Sequence, residues 1–301
     1  MSSGKITLEQ RKASLHYHVQ EYRKRRVIID TDAACEADDP FAIAQALMSK
    51  MLEVKGICAE HFVAEGSMEQ SYEMICRVTE AMGADVPVLR GQTGKMSEHQ
   101  GKPMTEAAQF IIEEDDKPLF VLCIGAVTNV AEAIRAKSEI VDRMTVVCIG
   151  GNPIGCEKPG WEFNFGNDVE AANTVLHCGG DIWMIPNNVY GTMHIGFGEI
   201  QRRIAPYGEI GRLLYENLIS FYETENASWS AGESWSLGDS PAVGVTLEPN
   251  CGSFMYCKAP EVQEDTSYRY PENSPQIRVY TSINSRFIIE DFISKLQILY
   301  G

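Results

Sequence analysis

The chain has 301 residues, of which 44% are apolar and 23% are charged, a composition that is typical of globular proteins and excludes an intrinsically disordered chain. The 42 acidic residues outnumber the 26 Lys and Arg and give a net charge of −16, which disfavours nucleic acids and anionic membranes as partners. No apolar run approaches the roughly 18 residues that span a bilayer, and the nine cysteines include no CxxC pair, so we expect a soluble, cytoplasmic protein with reduced thiols.

The first 26 residues are basic, with seven Lys or Arg against two Glu. They contain neither the apolar stretch nor the cleavage site of a targeting peptide. Thr7 and Gln10 have the spacing of a helical capping box. We therefore predict an N-terminal basic helical extension over residues 1–26, followed by a single domain over residues 27–301.

Short apolar runs alternate with helical patterns in the first two thirds of the chain. The predicted strands are 27–31, 54–59, 86–89, 119–124, 145–149 and 182–185. The predicted helices are 40–50, 68–82, 105–113, 130–136 and 169–178. This alternation predicts an α/β fold in which an open, mostly parallel sheet carries helices on both faces.

The pattern is looser after Pro186. It predicts helices at 208–226 and 239–246, separated by a loop rich in Ser, Trp and Gly. A C-terminal hairpin within 251–280 and a closing helix at 285–299 complete the predicted fold.

Four aspartates crowd the loop that follows the first predicted strand, namely Asp30, Asp32, Asp38 and Asp39. In open α/β sheets, ligands bind beyond the carboxyl ends of the strands. Carboxylates this close raise one another's pKa unless a cation compensates them, and hard oxygen ligands suit Ca²⁺ or Mg²⁺. Helix capping accounts for one or two of these aspartates, so four of them favour a metal site.

Three later segments contain further polar side chains at informative positions. They are Gly125-Ala-Val-Thr128-Asn129-Val-Ala, Trp161-Glu162-Phe163-Asn164 with Asn167-Asp168, and Asp239-Ser-Pro241-Ala-Val. Together with the aspartate loop, they resemble the inosine-uridine-preferring nucleoside hydrolase family and its DxDxxxDD signature. The aspartate loop is two residues longer than in that signature. The resemblance spans about residues 27 to 247 and implies a nucleosidase with a small-molecule riboside as its substrate.

The resemblance also implies a role for each matching residue. The backbone carbonyl of Thr128 and the carboxylates of Asp32, Asp39 and Asp239 would hold one Ca²⁺. Asp32 would also accept a proton from the attacking water, while the ribose would be bound by Asp38, Glu162 and Asn164. The implied reaction is Ca²⁺-dependent hydrolysis of the N-glycosidic bond of a ribonucleoside to ribose and free base, through an oxocarbenium-like transition state. A homodimer or homotetramer is implied as well.

Gly238 departs from the family pattern, since many members have a histidine there that protonates the leaving base. Glycine cannot transfer a proton, so the acid has to come from another residue. His61, which follows the second predicted strand, is our preferred catalytic candidate. A structural histidine would give the same pattern, and Glu233 and Trp235 are alternatives.

Three further residues are candidates for substrate binding. Asn152 and Asn188 follow predicted strands and could contact the sugar, and Trp161 could stack on a base. A packed aromatic residue is the alternative interpretation of Trp161.

Two other functions are compatible with parts of the sequence. A non-catalytic protein that binds ribose or a nucleoside would keep the metal site without a proton donor. A haloacid-dehalogenase-like phosphatase would use Asp30 as the nucleophile and Asp32 as the acid or base, but it would leave Asp38 and Asp39 without a role.

Overall fold

The structure is a computed structural model that describes residues 6–62, 64–99, 101–115, 118–156 and 158–301. Its strands are β1 (Arg25–Thr31), β2 (Leu52–Ala59), β3 (Val88–Arg90), β4 (Leu119–Cys123), β5 (Met144–Ile149), β6 (Asp181–Ile185), β7 (His194–Gly196), β8 (Ser234–Ser236), β9 (Gly252–Lys258), β10 (Glu261–Val262), β11 (Tyr268–Arg269) and β12 (Gln276–Ile283).

The α-helices are α1 (Leu8–Lys12), α2 (Asp39–Met48), α3 (Ser67–Met82), α4 (Glu106–Glu113), α5 (Thr128–Ala136), α6 (Phe163–Asn167), α7 (Val169–Leu176), α8 (Asn187–Tyr190), α9 (Phe197–Arg203), α10 (Gly208–Tyr222), α11 (Ser240–Leu247) and α12 (Ser285–Tyr300). Short 3₁₀ helices occupy Glu21–Arg23, Met96–Glu98, Ser138–Arg143 and Glu225–Ala227. Among the described residues, no helix is both long enough and apolar enough to cross a bilayer.

Eight strands form one sheet in the order β3-β2-β1-β4-β5-β6-β12-β9. Neighbouring strands are parallel except for β12 and β9, which pair antiparallel. The strand order reverses direction at β1 and β4, and such a switch point opens a crevice at the carboxyl ends of the two strands. The predicted α/β fold is therefore confirmed, including the antiparallel C-terminal strand pair and the closing helix α12.

Alternating side chains of the strands pack into two apolar clusters, one on each face of the sheet. In β1, Val27 and Ile29 belong to one cluster and Ile28 belongs to the other, as the two-residue period of a strand requires. Helices α2, α3, α10 and α12 contribute to the first cluster, and α4, α5 and α7 contribute to the second. Helices therefore cover both faces, which explains why the central parts of the inner strands are apolar on both sides.

The N-terminal extension packs on the first cluster through Leu8 and Leu15, which are both buried. The capping box of Thr7 and Gln10 is present at the start of α1. The predicted loop before residue 239 contains a strand that the sequence did not indicate. This strand, β8, pairs with β7 and buries Trp235.

Candidate functional site

Helices α2 and α11 begin close to each other, and each has an aspartate at its N-cap. Asp38 precedes α2 and Asp239 precedes α11, but neither carboxylate accepts a capping hydrogen bond from its helix. Asp168 behaves differently, because it accepts a 3.0 Å bond from the Ala171 N–H and caps α7. Capping therefore accounts for Asp168 and leaves Asp38 and Asp239 available to a ligand.

The aspartates converge on one point beyond the carboxyl end of β1. One carboxylate oxygen each of Asp38, Asp39 and Asp239 lies within 4.8 Å of the other two. Thr31, the last residue of β1, donates a hydrogen bond from its hydroxyl to Asp39 Oδ1. The Oδ2 atom of Asp32 is buried and makes no hydrogen bond. Because buried polar atoms are normally paired, this arrangement indicates a site for a cation.

Burial and mutual repulsion raise the pKa values of these carboxyl groups. Burial raises the pKa of Asp32, Asp38 and Asp239 well above the usual range, and neighbouring carboxylates raise it further. Burial also raises the pKa of Asp39 to about 6, although hydrogen bonds oppose this shift. The raised pKa values agree with the crowding of carboxylates that the sequence predicts. A bound cation would restore the charged forms.

The aspartates surround a cavity of about 80 Å³. Its lining is formed by Asp32, Cys35, Glu36, Asp38, Asp39, Ile124, Ile149, Phe163, Asn164, Tyr190, Gly238 and Asp239. None of these described residues is a Lys, Arg or His. Glu36 and Tyr190 were not predicted as site residues from the sequence, although the two additional residues of the aspartate loop were a signal for Glu36. Burial raises the pKa of Glu36 to about 7, and the charge of Asp39 adds to this effect.

The turn between β4 and α5 packs directly against the aspartate loop. A Cβ atom on Gly125 would lie 2.9 Å from Asp32 Oδ1, so only glycine fits here. Val127 has φ 60°, a left-handed conformation that is costly for a β-branched residue. Ile124 lines the cavity, whereas Thr128, the predicted carbonyl ligand, is not among the lining residues. Ile124, and not Thr128, is therefore the residue of this turn that lies beside the aspartates.

His61 lies outside the cavity in a separate buried network. Its Nε2 atom is 2.9 Å from Thr128 Oγ1, and the Thr128 hydroxyl donates a 3.0 Å hydrogen bond to Asp168 Oδ2. Burial lowers the pKa of His61 to about 4, so its ring is neutral at pH 7. His61, the predicted catalytic acid, therefore carries no imidazolium proton that it could donate at pH 7. It also does not line the cavity.

Asp30 and its neighbours form a second buried group of hydrogen bonds beside that of His61. Asn129 Nδ2 donates to Asp30 Oδ1 at 2.8 Å, and the Asn129 N–H donates to Glu60 Oε1 at 2.8 Å. These bonds connect β1, the end of β2 and the start of α5. Asp30 therefore holds the backbone on which the aspartate loop rests, and it does not line the cavity.

Glu162 and Asn164 both act on the cavity wall, but in different ways. Glu162 caps α6 through the N–H groups of Asn164 and Phe165 and accepts a 3.0 Å hydrogen bond from the Tyr190 hydroxyl. Asn164 lines the cavity, and its Nδ2 atom donates to the Ile149 carbonyl at 2.9 Å. Of the three ribose contacts predicted from the family resemblance, Asp38 and Asn164 therefore lie in the lining and Glu162 does not.

The other three predicted substrate contacts lie away from the cavity lining. Asn152 is buried, and its Nδ2 atom donates to the carbonyls of Gly160 and Thr266 at 3.0 Å. Asn188 is exposed on α8. Trp161 is 58% exposed and its ring covers Gly166, where a Cβ atom would lie 2.4 Å from the ring.

The sequence from residue 27 to residue 289 matches the family model described as inosine-uridine preferring nucleoside hydrolase. The chain belongs to this family. The predicted resemblance and the enzyme class of nucleosidase are thereby confirmed, and the alternative of a haloacid-dehalogenase-like phosphatase was wrong.

Curated relatives include the pyrimidine-specific ribonucleoside hydrolase RihA of Salmonella paratyphi A. It is 27% identical over 262 residues, which are 78% of this chain and 80% of the relative. The non-specific ribonucleoside hydrolase RihC of Klebsiella pneumoniae is 29% identical over 183 residues, and that alignment covers 52% of this chain and 60% of the relative.

Solved structures show the same fold at lower identity. The purine-preferring ribonucleoside hydrolase from Gardnerella vaginalis has a TM-score of 0.77 at 21% identity, with 92% of this chain and 99% of that chain covered. The plant nucleoside hydrolase PpNRh1 has a TM-score of 0.75 at 18% identity, with 90% and 98% covered.

Proposed function

We propose that the protein hydrolyses the N-glycosidic bond of a ribonucleoside to ribose and free base, with one Ca²⁺ held in the aspartate cavity. The observation that carries this proposal is the convergence of three buried carboxylates within 4.8 Å at the switch point of the sheet. A structural ion pair does not explain the cluster, since no cationic side chain lines the described cavity.

The residues of the cavity fit a hard divalent cation. Asp32, Asp39 and Asp239 would hold it, and the unpaired Asp32 Oδ2 supports this assignment. The fourth protein ligand in this proposal is the backbone carbonyl of Ile124 and not that of Thr128, because Ile124 lines the cavity. When bound, a divalent cation lowers the pKa of a water molecule and orients it for attack.

The remaining steps use the side chains of the chain itself. Asp32 would accept the proton of the attacking water, because the residue lines the cavity and its Oδ2 atom has no competing donor. Asp38 and Asn164 would bind the ribose hydroxyls from the cavity wall. Negative charge beneath the sugar ring stabilises the positive charge that develops at the anomeric carbon.

Glu162 and Tyr190 have a positioning role in this proposal. The Tyr190 hydroxyl is bonded to Glu162 Oε1, and Glu162 in turn fixes the first turn of α6. This turn carries Phe163 and Asn164, which both line the cavity. Glu162 therefore orients the sugar-binding wall.

A homodimer or homotetramer and a cytoplasmic location stay part of the proposal. All nine cysteines are unpaired, which supports a reducing compartment. Size-exclusion chromatography with light scattering would measure the oligomeric state.

The proposal is tested by the hydrolysis of inosine, uridine and p-nitrophenyl riboside in the presence of Ca²⁺, with free ribose as the measured product. We expect cleavage of at least one riboside, and a loss of kcat/KM of about 100-fold or more in Asp39→Asn. The exposed Asp142→Asn is a matched control, because it removes a carboxylate outside the cavity. Cleavage of p-nitrophenyl phosphate without cleavage of any riboside would refute the proposal.

A further inference from the structure

The charge of the cavity exceeds what one divalent cation can neutralise. Five carboxylates line it, from Asp32, Glu36, Asp38, Asp39 and Asp239, and none of the described lining residues is cationic. A bound Ca²⁺ offsets two negative charges and leaves a net negative field at the substrate. The ground state of a neutral nucleoside is not attracted by this field, which acts on it only as positive charge develops in the transition state, whereas a positively charged substrate is attracted from the start.

Glu36 is the carboxylate that the proposed hydrolysis does not use. It lies in the aspartate loop, in the segment that makes this loop longer than the family signature. Its side chain lines the cavity, and no salt bridge to it occurs among the described residues. Glu36 is not part of the cluster of Asp38, Asp39 and Asp239, and a cation bound beside it would favour its charged form. With the cation bound, it therefore adds negative charge to the cavity.

Aromatic rings stand beside these carboxylates. Phe163 and Tyr190 both line the cavity, and the Tyr190 ring lies beside Gly238, where a Cβ atom would be 3.2 Å from its Cδ2. Aromatic faces combined with carboxylates are the chemistry that recognises quaternary nitrogen cations. The walls of the cavity are therefore suited to a flat, cationic heterocycle.

Among the described residues that line the cavity, none is a histidine, a lysine or a tyrosine with an unbonded hydroxyl that would donate a proton to a departing base. The Tyr190 hydroxyl is committed to Glu162 at 3.0 Å, Gly238 has no side chain, and His61 lies in a different network. Departure of a neutral base requires such a proton. A base that is already cationic requires none.

We infer that the substrate class of this enzyme is a cationic N-riboside, in which the base carries a quaternary nitrogen at the glycosidic bond or an alkylated ring nitrogen. This inference rests on the proposed riboside hydrolysis. The C1′–N bond breaks, its electron pair moves to the ring nitrogen, and the base leaves uncharged. Water forms the new C1′–O bond and loses its proton to Asp32, so that ribose, neutral base and one proton are the products.

The test compares ribosides that differ in charge. Nicotinamide riboside and 7-methylguanosine are the cationic substrates, guanosine and inosine are the neutral ones, and p-nitrophenyl riboside is a neutral reference with an activated leaving group. We expect kcat/KM for 7-methylguanosine to exceed that for guanosine by about 100-fold. We expect Glu36→Gln to lower this ratio by about tenfold, whereas the exposed Glu73→Gln leaves the ratio unchanged.

A binding measurement separates recognition from intrinsic reactivity. The cation 1-methylnicotinamide should inhibit p-nitrophenyl riboside cleavage at least about tenfold more strongly than neutral nicotinamide, and Glu36→Gln should reduce this difference. Equal inhibition by the two compounds would overturn the inference, as would a preference for guanosine over 7-methylguanosine. A loss of neutral nucleoside cleavage alone in Glu36→Gln would overturn it too, because Glu36 would then be a proton donor. If no riboside is cleaved, the proposed function itself fails.

Discussion

Gly125→Ala is a minimal perturbation of the proposed metal site. The new Cβ would lie 2.9 Å from Asp32 Oδ1 and 3.0 Å from Asp32 N, whereas ordinary contacts begin at 3.4 Å. The Asp32 carboxylate therefore has to retreat by roughly half an ångström, and overpacking of this kind costs about 1–3 kcal/mol. A displaced ligand or its support typically weakens metal binding by about 10–100-fold.

These values translate into a measurable loss of Ca²⁺-dependent stability. At a Ca²⁺ concentration of about 1,000 times Kd, binding adds about 4 kcal/mol to the free energy of unfolding. A 100-fold higher Kd leaves about 1.4 kcal/mol of this gain, so the variant should lose roughly 2.7 kcal/mol of Ca²⁺-dependent stability. Denaturant unfolding with Ca²⁺ and with EDTA gives this difference directly, and calorimetric titration gives Kd.

Gly160→Ala is the matched control for this experiment. A Cβ atom at Gly160 meets nothing within 4 Å, and Gly160 is not among the glycines with positive φ. We expect it to bind Ca²⁺ like the unchanged protein. If Gly125→Ala folds and binds Ca²⁺ with an unaltered Kd, Asp32 is not a ligand and the proposed site is incorrect.

Three further predictions concern the charged and titratable groups. Asp239→Asn should abolish Ca²⁺ binding and yet raise the free energy of unfolding in EDTA by about 1–3 kcal/mol, because it removes a buried carboxyl from a cluster of like charge; calorimetric titration and denaturant unfolding measure the two effects, and a destabilised variant would contradict the second. In EDTA, Asp39→Asn should become more stable relative to the unchanged protein as the pH rises from about 4 through 6. Burial raises the pKa of Asp39 in the folded protein to about 6, so Asp39 stabilises the fold at a pH below its pKa in the unfolded chain, and this contribution is lost as the pH rises above 6. Parallel curves of Tm against pH for the two proteins would refute this. His61→Ala should lower stability by about 1–3 kcal/mol through the lost bond to Thr128, with equal changes in kcat/KM for nucleosides and for p-nitrophenyl riboside, and a selective loss for nucleosides would restore His61 as the acid.

Much of the fold could be predicted from the sequence, because strands buried on both faces are apolar throughout. The runs at 27–29 in β1 and 146–149 in β5 are apolar and buried, and the structure places both strands in the middle of the sheet. The position of the aspartates after the first strand also indicated the carboxyl edge, where the structure places the cavity.

The composition of the cavity was harder to predict, since it depends on how each loop turns after its strand. Thr31 and Asp30 are adjacent, but one bonds Asp39 of α2 on one face and the other bonds Asn129 of α5 on the opposite face. His61 follows β2 by two residues and turns towards Thr128 instead of the cavity. The opposite directions of Asp30 and Thr31 follow the two-residue period of β1, but this period no longer applies beyond the last paired residue, so sequence spacing cannot assign the direction of His61.

Long-range convergence was the other limit. Asp239 is 200 residues from Asp39 along the chain, and in the sequence only the family resemblance connects the two residues. Glu36 had no counterpart in the family signature, so only the packing of the aspartate loop could place it at the cavity.

The central claim is that one Ca²⁺ in the aspartate cavity is required for riboside cleavage. Its most direct test is the titration of EDTA-treated protein with Ca²⁺ while bound ion and p-nitrophenyl riboside cleavage are measured together. Activity should return in proportion to bound Ca²⁺ and reach its limit at one ion per chain, and Asp39→Asn should neither bind nor recover. Cleavage by the metal-free protein, or full recovery of Asp39→Asn, would contradict the claim.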